Sequence, residues 1–196
     1  MRTRKTKTEL LEQLTPEELY RHAVNRALYI LEHTDKSEAD LRRKLKEGGY
    51  PEDIIGRALE YVRSYHYIDD ERFALNYIRT HAAAISRREL VNKLLQKGIS
   101  REDIDSAFID FEEEQAELAA RSAADGLDDP SEERLSVGEQ AAVNALRKKL
   151  NGRTLPDDAA KQKVMAYMFR KGFGRDVIRR AFDILGVGMD TDAFSD

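Results

Sequence analysis

Basic side chains recur in three stretches of this sequence. Arg42, Arg43, Lys44 and Lys46 form the first, Arg87, Arg88, Lys93 and Lys97 the second, and Lys161, Lys163, Arg170 and Lys171 the third, with Arg175, Arg179 and Arg180 close behind. Guanidinium and ammonium groups spaced along helices bind phosphates or acidic protein surfaces through charge-assisted hydrogen bonds. Each residue alone reads as solvated surface charge, whereas recurrence on matching stretches draws a basic stripe. Other chemistry is thinly provided. His22, His33, His66 and His81 share no metalloprotease spacing with a carboxylate, and no Gly-rich phosphate loop is present. "GFGR" at 172–175 is too short for one and lies between two helical stretches. "YIDDER" gathers Asp69, Asp70 and Glu71. A metal site is one reading of it, and capping of a helix N-terminus is the stronger. No catalytic residue, metal ligand or cofactor is assigned.

The elements that carry these residues are written three times. "LKEGGYPEDIIGRAL", "LLQKGISREDIDSAF" and "MFRKGFGRDVIRRAF" align without gaps. Leu41, Leu45, Gly49, Tyr50, Ile55, Ala58 and Leu59 fall on Leu90, Leu94, Gly98, Ile99, Ile104, Ala107 and Phe108. The same frame reaches Val164, Met168, Gly172, Phe173, Ile178, Ala181 and Phe182. An ungapped triple match that keeps the glycine marks an internal repeat.

Helix punctuation sets the unit. Thr15, Pro16 and Glu18 open a helix with an apolar stripe of Leu19, Ala23, Ala27 and Leu31. Ser37 opens the next, Gly48–Gly49 closes it, and Pro51 opens a third that runs to about Tyr65. In the second unit Asp69 or Asp70 caps the first helix. Ser86 with Glu89 forms a capping box in the frame position of Ser37, Gly98 stops that helix, and Ser100 with Asp103 starts the next. The third unit starts at Ser136 with Glu139, stops at Asn151–Gly152, restarts after Pro156, stops at Gly172 and ends at Gly186. The expectation is an all-α chain of three tandem three-helix repeats, elongated, curved and solenoid-like, in which neighbouring units share their cores. Its parts are a basic arm at 1–14, repeats at 15–66, 67–113 and 136–186, an acidic linker or helix extension at 114–135, and an acidic tail at 187–196.

Composition agrees with this. Of 196 residues 36% are charged and 41% hydrophobic, with no Cys, no Trp and four Pro. The lack of Cys excludes a disulfide framework and suits a reducing compartment, and no apolar run is long enough to span a bilayer. A cytoplasmic protein is expected. The net charge of −4 argues against a simple nucleic-acid binder but hides an uneven distribution. Acids dominate from Phe111 to Ser136. Lys and Arg dominate from Ala141 to Arg180, and Arg2, Arg4, Lys5 and Lys7 make the start basic.

"ALYILEHTDKSEADLRRKLKEGGYPEDII", "YIDDERFALNYI", "RRELVNKLLQKGISREDI" and "KVMAYMFRKGFGRDVIRRAF" together resemble the RecX family of bacterial regulators of the RecA recombinase. The resemblance covers roughly residues 20–185. Its most specific block runs from Tyr67 to Ala74 and includes Asp69, Asp70 and Phe73, followed by the glycine stops at Gly98 and Gly172. It implies no catalysis and binding along the groove of the RecA–DNA filament by a monomer. DNA would be met through the filament or weakly alone. Modulation, usually inhibition, of ATPase, strand exchange and coprotease activity would follow, in the setting of DNA repair, homologous recombination and the SOS response. The chain departs from the family in "THAAAISRREL", where relatives carry a glycine-containing basic loop, and in its long acidic insert. A direct DNA-binding protein with helix-turn-helix-like units and a scaffold unrelated to recombination are the other two readings of the residues alone.

Overall fold

A computed structural model of the chain describes Leu11 and residues 13–124, 135–155 and 157–187. Arg2, Arg4, Lys5 and Lys7 of the basic arm, residues 125–134 of the acidic insert, Pro156 and the tail from 188 onward lie outside the described residues.

Nine helices and no strand occur among the described residues. The first three are α1 (Pro16–His33), α2 (Glu38–Glu47) and α3 (Glu52–Ser64). Thr15 and Glu18 form the reciprocal box that opens α1, and the two bonds from Thr15 hold the Glu18 carboxyl below its ordinary value. Ser37 caps α2, Gly49 turns the chain at φ +89°, and Pro51 occupies the N-cap position of α3. After α3, His66 takes φ +55° and the amide of Tyr67 reaches back to the Val62 carbonyl at 2.9 Å. This is a Schellman end with a histidine where glycine is usual.

The second repeat holds α4 (Asp70–His81), α5 (Arg87–Gln96) and α6 (Arg101–Ala124). Residues 114–124, at the start of the segment expected to be a linker or a helix extension, are the last turns of α6. The third repeat holds α7 (Val137–Leu150), α8 (Asp158–Lys171) and α9 (Arg175–Ile184). Ser136 and Glu139 form a second full capping box, and Asn151 ends α7 in the left-handed region.

Two compact units emerge, and they do not follow the repeat boundaries. One takes the chain as far as Ala74 together with Leu94–Ala107; the other takes Leu75–Lys93 and the chain from Phe108 on. The core of the first unit gathers Ala23, Ala27, Leu41, Leu45, Ile55, Ala58, Leu59 and Val62. That of the second gathers Ala142, Val143, Leu146, Met168, Ile178, Ala181 and Phe182. Every one of these is nearly or fully buried, and each large one contributes about 1.5–3 kcal/mol of burial. Apart from the glycines, the frame positions aligned above are thus the inward-facing ones. Leu41, Leu90 and Val164 are buried, as are Ile55, Ile104 and Ile178.

Candidate binding surface

The basic residues of the second helix in each repeat split into two groups, those tied to acids or carbonyls and those left open. On α2, Arg42 pairs with Glu38 and Glu52, Arg43 with Asp40 at 2.6 Å, and Lys44 with Glu47 at 2.8 Å. Lys46 is exposed and has no partner among the described residues. On α5, Arg87 pairs with Glu112 and lies 4.0 Å over the Phe108 ring, whereas Lys93 is unpaired. Lys97, just past α5, meets Asp40 and the Phe73 ring. On α8, Lys161 pairs with Asp158, and Lys163 and Arg170 are exposed and unpaired. On α9, Arg179 pairs with Asp176, and Arg175 and Arg180 are also engaged. The stripe read from sequence is therefore largely neutralised. Lys46, Lys93, Lys163 and Arg170 remain, at least one on the second helix of each repeat. Arg170 lines a polar cleft of about 510 Å³ with Arg88, Asn92 and Tyr167.

Lys97, Arg88 and Lys171 lie where the N-terminus of one second helix meets the C-terminus of the next. At the first junction Ser37 Oγ accepts the amide of Asp40 at 3.2 Å and donates to the Lys97 carbonyl at 2.7 Å. The Lys97 ammonium reaches the Asp40 carboxylate at 3.8 Å. A Cβ on Gly98, at φ +80°, would clash with the Cβ of Ala39.

The second junction repeats the first in frame. Ser86 Oγ accepts the amide of Glu89 at 3.2 Å and donates to the Lys171 carbonyl at 2.5 Å. The Lys171 ammonium reaches Glu89 at 3.4 Å. A Cβ on Gly172, at φ +94°, would meet Arg88 and Ser86 Oγ at 2.7–2.8 Å. Ser37 and Ser86 are both buried, so each hydroxyl uses its one proton and one lone pair inside the protein. The capping box expected at Ser86 is only half used, because the carboxylate of Glu89 turns to Lys171. Arg88, placed among the surface contacts by sequence, instead donates to the carbonyls of Phe169 and Arg170 at 2.9 and 2.8 Å and caps the end of α8. Sequence did contain the signal for the junctions. Ser, an acid three residues on and a Lys–Gly stop recur in frame at Ser37, Asp40 and Lys97–Gly98, then at Ser86, Glu89 and Lys171–Gly172.

The family-block residues fall into place around the first junction. Asp69 caps α4 by accepting the Arg72 amide at 2.8 Å. Asp70 caps another helix, accepting the amide of Glu38 at the start of α2 at 2.9 Å. Burial pushes the Asp70 carboxyl above its ordinary value, with Glu38, Asp103 and Asp69 adding to the rise. Phe73 is buried, whereas Tyr67 is half exposed and stacks loosely beside Tyr65. The second unit also carries an apolar cleft of about 750 Å³ lined by Leu90, Phe108, Phe111, Leu118 and Val137, which no sequence pattern announced. Among the described residues no helix is long and apolar enough to cross a membrane.

Comparison with known proteins bears on each repeat separately. The models of the first, second and third three-helix domains of RecX match residues 23–61, 69–107 and 138–182. A regulatory protein RecX of Clostridium perfringens strain 13 is 36% identical over 96 residues, covering 49% of this chain and 45% of that relative. The match thus spans less than half of that relative's length. One of C. perfringens strain SM101 is 26% identical over 176 residues, covering 88% of this chain and 74% of its own length. A crystal structure of a regulatory protein RecX superposes with a TM-score of 0.66 at 26% identity, covering 93% of this chain and 82% of that one. With each repeat matched in order by its own domain model, the chain belongs to the RecX family.

Proposed function

We propose that the chain is a non-enzymatic regulator that binds RecA–DNA filaments in the cytoplasm. Acting as a monomer, it lies along the filament groove and inhibits ATP hydrolysis, strand exchange and coprotease activity. The observation that carries this reading is the placement of Lys46, Lys93 and Arg170. The second helix of every repeat keeps at least one cation without an acidic partner among the described residues, whereas Arg42, Arg43 and Arg87 are paired with acids. A cation that recurs in every repeat suits a long partner with a repeating anionic surface better than a small ligand. The name carried by the relatives, regulatory protein RecX, supports the same reading.

The test is DNA-dependent ATP hydrolysis by RecA filaments, with this protein titrated well below one molecule per RecA. A bare-DNA gel shift at matched salt runs beside it. Inhibition at that ratio with little affinity for naked DNA is expected. The triple variant Lys46→Glu, Lys93→Glu, Arg170→Glu should lose the inhibition while keeping its helicity. Unchanged hydrolysis together with tight, salt-sensitive binding to bare DNA would favour a direct DNA-binding protein instead.

A further inference from the structure

The two junctions match too closely to be separate accidents of packing. Each joins a buried N-cap serine to the carbonyl of the lysine that precedes a left-handed glycine. Each closes the same lysine on an acid at the third helical position, and each brings the glycine too close to its neighbour for any side chain. The frame positions agree in all three respects. The contacts also run across the chain rather than along it, since Ser37 to Lys97 and Ser86 to Lys171 both link different repeats.

We infer that this interlock, used twice, sets the register between consecutive second helices, so that Ser37, Ser86, Gly98 and Gly172 are positioning residues for partner binding. The inference rests on the reading that Lys46, Lys93 and Arg170 meet one long partner. Several weak contacts on one chain act together only when their spacing is held, because the later contacts then form at a high effective concentration. A junction that slips leaves each repeat folded and each cation in place, yet the contacts no longer reinforce one another. A single serine hydroxyl suits this task. It satisfies an amide on its own helix and a carbonyl on the next, which ties the two helix ends at one point, while the lysine–acid pair and the close glycine contact restrict their rotation.

A structural role alone would also lower stability, so the experiment pairs variants by stability loss in the full chain. Ser37→Ala with Ser86→Ala removes both hydroxyls. Ile55→Val with Ile178→Val shaves two buried core side chains on the third helices and leaves the junctions alone. Thermal unfolding matches the two pairs, and inhibition of RecA filament ATPase is then titrated. The serine pair should need at least about tenfold more protein for half-inhibition, while the isoleucine pair stays within about twofold of the parent. Equal shifts in the two pairs would overturn the inference, because binding would then follow stability and not register.

If the parent chain itself has no effect on hydrolysis, the functional reading fails and amide exchange decides the interlock alone. Loss of the hydroxyls must then speed exchange on both sides of each junction, in Leu41–Leu45 and Leu94–Ile99, and in Leu90–Leu94 and Met168–Phe173. Faster exchange confined to the capped turns at Asp40 and Glu89 would overturn it.

Discussion

The junction between the first and second repeats and that between the second and third share one design but differ beside the glycine. Ala39 stands where the second junction has Arg88. The first is held by a hydroxyl, an ion pair and a close backbone approach; the second adds a guanidinium that satisfies two carbonyls at the end of α8. The first compensates elsewhere, since Asp70 satisfies the Glu38 amide and Glu38 in turn pairs with Arg63. The difference teaches that the shared part is the serine, the acid, the lysine and the glycine. The residue beside the glycine is free to vary with the space it must leave.

The largest effects should come from the glycines. Gly98→Ala and Gly172→Ala each force a left-handed alanine and a contact below 3.0 Å, for a loss of about 2–4 kcal/mol in denaturant unfolding. The two should respond differently to relief. Ala39→Gly in the Gly98→Ala background removes the opposing Cβ and should leave only the backbone term of about 1 kcal/mol. Arg88→Ala cannot rescue Gly172→Ala, because the Arg88 Cβ and Ser86 Oγ remain within 2.8 Å. Failure of the Ala39 rescue would show that backbone conformation alone selects the glycine.

The serines come next. Ser37→Ala and Ser86→Ala each strip a helix amide and a carbonyl of their partner, at about 1–2 kcal/mol. The loss at Ser37 should be the greater, since Arg88 still holds the end of α8 when Ser86 is gone. Equal losses would mean that Arg88 carries little of the second junction. Arg88→Ala alone should cost about 1 kcal/mol, being an exposed contact to carbonyls. Lys93→Glu, four residues before Lys97 on the same stretch, should leave stability within about 0.5 kcal/mol of the parent. Unfolding midpoints for the pair therefore separate a junction residue from a surface cation, which sequence had grouped together.

That grouping marks where sequence reading stopped. The nine helices of the described residues, most of their caps and the inward-facing frame positions follow from periodicity and capping chemistry, because those are local and each leaves its own mark. Leu41, Leu90 and Val164 could be aligned because burial selects residue type directly. Whether a cation is free depends on which carboxylate the fold brings beside it, and Glu112 lies a whole helix away from Arg87. Ser86 was legible as a cap but not as a donor to Lys171, since a hydroxyl's second bond leaves no mark on its own segment. Asp69 and Asp70 show the same limit. Either reads as the cap of α4, and only the fold reveals that Asp69 takes that place while Asp70 caps α2.

The smallest effect distinguishes the two junctions by pH. Asp70 belongs to the first junction, where its carboxyl is raised above the ordinary value chiefly by burial, with the Glu38 amide opposing. A raised carboxyl favours the folded state most when protonated. That contribution is full below the unfolded value, near pH 4, and is lost as pH rises through the folded value. Asp70→Asn keeps an oxygen to accept the Glu38 amide and removes the charge that burial penalises. Near neutral pH the variant should be as stable as the parent or slightly more so, and below about pH 4 that advantage should vanish. Urea midpoints across this range give the comparison. Ser86→Ala removes a hydroxyl that carries no charge, so its shift in midpoint should not follow pH in the way that Asp70→Asn does. If Asp70→Asn instead weakens the protein near neutrality, the ionised carboxylate is worth more to the start of α2 than burial takes away. The first junction would then be held by charge as firmly as the second is by Arg88.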